Sequence, residues 1–390
     1  MENAQTAPQE STQVQGQNNP AATPPSTSVG PSYEPWQLRT QFRSGVTFYN
    51  NFFSLHRDPK GEIVFQNGPI FLFSNRSSSF RFNIDYEPTY QAYYRNYKDD
   101  SLDQSLTATY NRQFGRFYDK GSELLSYSSE TQTVENAVRT KVLANTYGNE
   151  LGYNINRYFS AAVVYQNNVY HYFNPVYSSS SYIENTVGPK IYYHLRPKLD
   201  LYVQSAYSVY RYNHDASRNA DDVATTVGIE GTLSKKTFVL IQGGVQSGTQ
   251  NSGQNGFVAE AMVEHRFTPK TDLTLTVNRG SQQSTSTAGA FDYWLLSSQL
   301  NYKYSPKTTI SFFASWQNNS YANTTTNPLT MITIPQNTED YINIETLTLT
   351  YDLTKKITLK GIISRQQQLS NFKQFDYEDY TFELSLIYAF

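Results

Sequence analysis

The sequence predicts an all-β fold: a transmembrane antiparallel β-barrel of about eighteen strands, with short periplasmic turns and long extracellular loops. Three observations predict it. Strand-like runs of roughly 9–15 residues follow one another from Leu38 onward, with no amphipathic helix between them. Their connections alternate between short turns bearing Lys or Arg and longer polar stretches. The final run places Tyr380, Phe382, Leu384, Leu386, Tyr388 and Phe390 on one parity, against Thr381, Glu383, Ser385 and Ala389 on the other. A strand sends alternate side chains to opposite faces, so this run has one apolar, aromatic face and one small, polar face. Ile387 is its one apolar intruder.

Composition agrees. The 390 residues include 33 Tyr, 23 Phe and no Cys. A net charge of −2 gives no general attraction for nucleic acid. Mean hydropathy is −0.59, and no run of about 18 apolar residues could form a membrane helix. A barrel needs apolar residues only at alternate positions, so its mean hydropathy stays low. Without Cys there is no disulfide framework, thiolate metal site or Cys-anchored lipid. Met1 is followed by Glu-Asn-Ala-Gln, without a basic region or an apolar signal core. A bacterial outer-membrane location therefore expects the export signal to have been removed ahead of Met1.

Residues 1–35 are mostly Gln, Pro, Ser, Thr, Asn and Ala. Too little apolar surface exists there to offset the ordering entropy, so a disordered tail is expected. Residues 36–390 form the expected barrel. Its strands are read as 42–51, 62–73, 79–90, 102–113, 117–128, 139–154, 158–172, 181–193, 199–212, 223–233, 237–246, 256–267, 272–279, 291–304, 308–317, 341–353, 357–367 and 377–390. These runs exceed the usual soluble strand of about 5–6 residues and suit a tilted membrane strand. The spans 62–73 and 117–128 alternate least regularly, and losing one hairpin there would leave sixteen strands.

Short turns are read at Asn75-Arg76, Gly115-Arg116, Asn156-Arg157, Arg196-Pro197-Lys198, Lys235-Lys236, Pro269-Lys270, Pro306-Lys307 and Lys355-Lys356. The fixed φ of Pro suits such turns. The longest connection, Asn318 to Asp340, is the best candidate for a loop that plugs the lumen.

Parity assigns faces to other strands as well. Phe80, Phe82, Ile84 and Tyr86 alternate with Arg81, Asn83 and Asp85. Leu273, Leu275 and Val277 alternate with Thr274, Thr276 and Asn278. The polar parity gives the candidate lumen charges: Arg81, Lys190, Arg266, Lys303 and Lys360 against Asp85, Glu150, Glu184, Glu230, Glu260, Glu264, Asp352 and Glu383. Tyr202, Tyr210 and Tyr212 share that inward parity, as sugar-stacking or packing groups. With mixed signs and no basic ladder, a dedicated anion pore is not indicated. Tyr158, Tyr192, Tyr193, Tyr302, Tyr304, Tyr351, Trp294 and Trp316 lie near strand ends and read as an interfacial girdle.

No catalytic or metal constellation emerges, and no cofactor is implied. None of the five His has metal-ligand spacing, and the loop acids match no calcium-loop pattern. Serines are so common that one near a His in sequence means little, and no enzyme is read.

Two resemblances add to this reading. The closing strand with Tyr388 and terminal Phe390 resembles the last strand of bacterial outer-membrane barrels, which implies recognition by the barrel assembly machinery. Gly45-Val46-Thr47-Phe48-Tyr49-Asn50-Asn51-Phe52-Phe53, Arg57-Asp58-Pro59-Lys60-Gly61-Glu62, Pro69 and Tyr86-Glu87-Pro88-Thr89-Tyr90 resemble the beta-barrel porins associated with exopolysaccharide gene clusters. That resemblance implies a barrel of sixteen to eighteen strands passing secreted polysaccharide, and it carries over no functional residues. The expected partners are outer-membrane lipid, the assembly machinery, the polysaccharide and periplasmic export proteins, with no nucleic acid. The alternatives are a general diffusion porin for small solutes and a structural barrel plugged by its own loops.

Overall fold

The computed structural model describes residues 36–52, 58–77, 80–131, 139–248, 255–283, 290–321, 325–326, 333–334, 338–373 and 376–390. The expected tail, residues 1–35, lies outside the described residues, as do His56 and most of the plug candidate.

Eighteen long strands run in order. They are β1 (Trp36–Tyr49), β2 (Glu62–Arg76), β3 (Phe80–Tyr93), β4 (Ser101–Phe114), β5 (Phe117–Thr131), β6 (Arg139–Asn154), β7 (Phe159–Tyr172), β8 (Tyr182–Arg196) and β9 (Leu199–Tyr212). They continue as β10 (Ala220–Ser234), β11 (Thr237–Gly248), β12 (Gly256–Thr268), β13 (Thr271–Gln283), β14 (Ala290–Ser305), β15 (Thr308–Tyr321), β16 (Thr338–Asp352), β17 (Ile357–Ser370) and β18 (Tyr377–Ala389). Each pairs antiparallel with the next in sequence, and β18 returns to β1 with Phe42 opposite Tyr388 and Phe48 opposite Phe382. The sheet is thus closed, which removes every edge. Both doubtful spans are strands, so the barrel has eighteen and not sixteen. Thr325–Thr326 and Thr333–Ile334 form a separate small ladder between β15 and β16.

The short turns share one local chemistry. In Thr268-Pro269-Lys270-Thr271 the Lys270 amide donates to Thr268 Oγ1 at 3.1 Å, and the two Thr hydroxyls bond at 3.1 Å. Ser305 and Thr308 flank Pro306-Lys307 in the same way, and Ser234 and Thr237 flank Lys235-Lys236. A Ser or Thr side chain thereby satisfies a turn amide that no ladder partner reaches. The carbonyls of Lys198, Lys236, Lys270, Lys307 and Lys356 each accept an amide from the next hairpin, extending the ladder to the barrel rim. At Gly115 φ is +64°, a left-handed conformation that suits Gly in a two-residue turn.

The two faces differ in exposure. One carries Phe42, Val203, Leu275, Leu349 and Leu384, all exposed. The other carries Glu150, Lys190 and Glu260, each only 7% exposed. A concave wall shades its own side chains and a convex wall does not, so the polar face is the interior. The apolar exterior is the lipid face of a membrane barrel.

One expectation is corrected. Tyr192 faces inward beside Glu150, so it belongs to the lumen and not to the girdle. Phe82 faces outward but lies at the short-turn end, covered by Trp36, Phe73 and Phe80 with ring centroids 5.1–5.3 Å away.

Candidate functional site: the lumen wall

The register carries the polar parity of each strand around the inside. Arg81 and Asp85 (β3), Glu184 and Lys190 (β8), Tyr202 and Tyr210 (β9), and Glu260, Glu264 and Arg266 (β12) all lie on the concave face. So do Lys303 (β14), Lys360 (β17) and Glu383 (β18). The structure brings some of these together and leaves others apart. Arg81, Asp85, Arg266 and Lys303 are exposed side chains. Lys190, Tyr202 and Glu260 belong to one packed network.

That network lies toward the short turns and crosses β5 to β12. Glu150 accepts hydrogen bonds from Tyr118 at 2.9 Å and Tyr192 at 2.8 Å, and pairs with Lys120 at 3.2 Å. Lys190 pairs with Glu230 at 2.9 Å. Its ammonium also lies 3.9 Å from the Tyr202 ring centroid and 4.6 Å from that of Tyr192. Tyr202 donates to Gln242 at 2.9 Å, and Gln242 donates to Glu260 at 2.7 Å. Charged groups of both signs are thus held out of bulk water with partners for each, the condition for burying them. Two glycines make room for the rings. A Cβ on Gly152 would lie 2.0 Å from Tyr118, and one on Gly228 would lie 2.6 Å from Tyr202.

A second cluster lies toward the long loops. Tyr182 packs with Tyr170, Tyr210 and Tyr212, at centroid distances of 5.1, 6.4 and 5.4 Å. Glu184 accepts from Asn168 at 2.7 Å beside it. Arg218, on the 3-10 turn Ala216–Arg218, covers the Tyr212 ring at 4.2 Å. The lumen therefore has an aromatic wall on β8 and β9, running from Tyr192 and Tyr202 up to Tyr210 and Tyr212.

Charge differs along the axis. Toward the long loops the inward acids include Glu62, Asp103, Glu184, Asp222, Asp340 and Asp379. No Lys or Arg of the described strands points inward at that level. Basic side chains enter the lumen lower down, with Arg43 paired to Glu87 near mid-height.

One constellation was not legible in the sequence. His194 Nε2 lies 2.7 Å from Ser160 Oγ, and its Nδ1 lies 2.7 Å from Asp200 Oδ1. These residues come from β7, β8 and β9, so only the register brings them together. Ser160 also bonds Asn154 at 2.8 Å and is 1% exposed. A nucleophile needs an open approach for its substrate. This chain of bonds instead braces four strands at the periplasmic rim. Among the described residues no cluster of acids and His could hold a metal ion.

The family described as "Putative beta-barrel porin 2" matches residues 182–390, more than half of the sequence. The chain belongs to this porin family. It is an outer-membrane β-barrel channel and not an enzyme. A comparison with curated proteins returned no match.

Solved structures align with most of this chain at low identity. A BenF-like porin from Pseudomonas fluorescens Pf-5 is 8% identical with a TM-score of 0.49, covering 91% of this chain and 99% of its own. Pseudomonas aeruginosa OpdK, solved with vanillate, is 8% identical with a TM-score of 0.48 and the same coverage. The FrpB iron transporter from Neisseria meningitidis is 12% identical with a TM-score of 0.41; 86% of this chain aligns to 62% of that longer one.

Proposed function

We propose that this porin passes a secreted polysaccharide across the outer membrane. The observation that carries the reading is the inner wall. It offers hydroxyls, amides and carboxylates over most of its height, with tyrosines on one side. A hydrated saccharide exchanges hydrogen bonds with such groups singly and weakly, so it is guided without being held. The sequence resemblance at residues 45–90 supports the same reading. The acidic level below the long loops favours a neutral or amino-bearing polymer over a polyanion.

The test is single-channel recording of the purified protein with saccharides added on the short-turn side. Neutral oligosaccharides should produce brief, concentration-dependent interruptions of the current. An open channel indifferent to every oligosaccharide would contradict polysaccharide passage and leave a diffusion porin for small solutes.

A further inference from the structure

The outer surface of β5–β8 differs from the rest of the lipid face. Phe117 packs on Tyr153 near the short turns, and Tyr127 meets Phe173 near the long loops. From Phe117 to Tyr127 the strand rises about 33 Å, enough when tilted to cross the apolar band of about 25 Å. Glu123 lies midway and faces outward, as does its ladder partner Tyr147. Tyr147 stands opposite Asn167, and Asn167 opposite Asn185. An acid, a phenol and two amides thus form one outward row across four strands, in the middle of the hydrocarbon belt.

Elsewhere the same belt is mostly apolar: Val203, Val227, Ile241 and Leu275 face out from β9, β10, β11 and β13, and the outward hydroxyls of Ser205 and Thr225 pair with each other at 3.1 Å. A second outward charged group, Glu345–Arg365–Glu378, neutralises itself within the chain at 3.4 and 2.8 Å. Glu123 has no hydrogen bond or ion pair among the described residues. Tyr147, Asn167 and Asn185 find partners within the chain, Tyr147 with Tyr110 and Asn167 with Asn185, but hydrocarbon supplies none for the Glu123 carboxylate, so its outward position marks contact with protein.

We propose that this face is the interface between two copies of the chain, packed side by side about a two-fold axis along the membrane normal. A periplasmic protein cannot reach the middle of the belt. A two-fold axis sets the same row against itself. The row is self-complementary: Asn167 already donates to Asn185 at 3.0 Å, and Tyr165 donates to the same oxygen at 2.8 Å, which leaves the Asn185 amide N–H and the Asn167 carbonyl of each copy to pair reciprocally across the axis. Glu123 gains donors from the Asn amides or the Tyr147 hydroxyl of the other copy.

The absence of Cys makes the test clean. Glu123→Cys and Asn167→Cys are made singly, with Leu275→Cys as the control on the remote lipid face, and each is oxidised in native outer-membrane vesicles. Disulfide-linked dimers are expected at the patch in several-fold excess over Leu275→Cys. No dimers at the patch, or equal yields at all three positions, would overturn the proposal. A spin label at Asn167 in liposomes should be shielded from oxygen, and strong oxygen contact there would show lipid on this face and overturn it too. Shielding without cross-linking would mean that something other than a second copy covers the row, and would also reject the proposal.

Discussion

At the residue scale, the lumen wall is held by compensated burial. Lys190 is the hub, touching Glu230, Tyr192 and Tyr202 at once. Replacing it by Met leaves Glu230 without its cation in a shaded site. Breaking one partner of a buried pair costs about 3–5 kcal/mol. Lys190→Met should therefore lower the unfolding free energy by that order, read as a lower urea midpoint of the folded, heat-modifiable band. A midpoint equal to wild type would show that water already screens the pair. This network was only partly visible beforehand. Period-two alternation identified Lys190, Tyr202 and Glu260 as inward, because a strand's parity is a property of its own sequence. Which of them touch depends on the offset between strands, and sequence alone does not give that. The same limit hid the Ser160–His194–Asp200 chain of bonds. Tyr192 was misplaced because its neighbour Tyr193 has the same chemistry, and one of two adjacent residues must face inward.

At the element scale, each strand presents lipid on one side and water on the other. Leu275 lies in the apolar belt, and its neighbour Thr276 stands opposite Met262 on the inner wall. Leu275→Arg should cost about 2–4 kcal/mol in folding titrations into liposomes. Thr276→Arg should cost much less and alter conductance instead. Equal costs would mean that the inner wall is dry. Strand number was legible from run length and from the alternation of turns. The irregular span 117–128 has a physical cause: Asp119 and Glu123 face outward on β5 while Leu124 faces in, reversing the usual pattern. Closure depends on β18. The Phe390 amide donates to Thr40 on β1 at 3.1 Å, and its ring packs on Tyr388 at 5.2 Å. Deleting Phe390 should lower the folded amount in outer membranes. A normal folded yield would count against an assembly role for this end.

At the scale of the whole molecule, the closed sheet supplies its own stability, because every strand has two partners. A chain beginning at Pro35 should therefore refold in detergent as well as the full sequence. A large loss on truncation would show that residues 1–35 brace the barrel. The lumen's charge is also a property of the whole, since a total of −2 conceals an acidic inner face below the long loops. Rings of Asp and Glu favour cations. Replacing Glu184 and Asp222 by their amides should reduce that preference without closing the pore. The central claim is that the lumen is open, wet and acidic. Planar-bilayer recording of the folded protein across a KCl gradient tests it most directly. Discrete, stable conductance steps are expected, with a reversal potential of the sign set by K⁺ permeating more readily than Cl⁻. Folded, inserted protein that carries no current, or a reversal potential of the opposite sign, would contradict it.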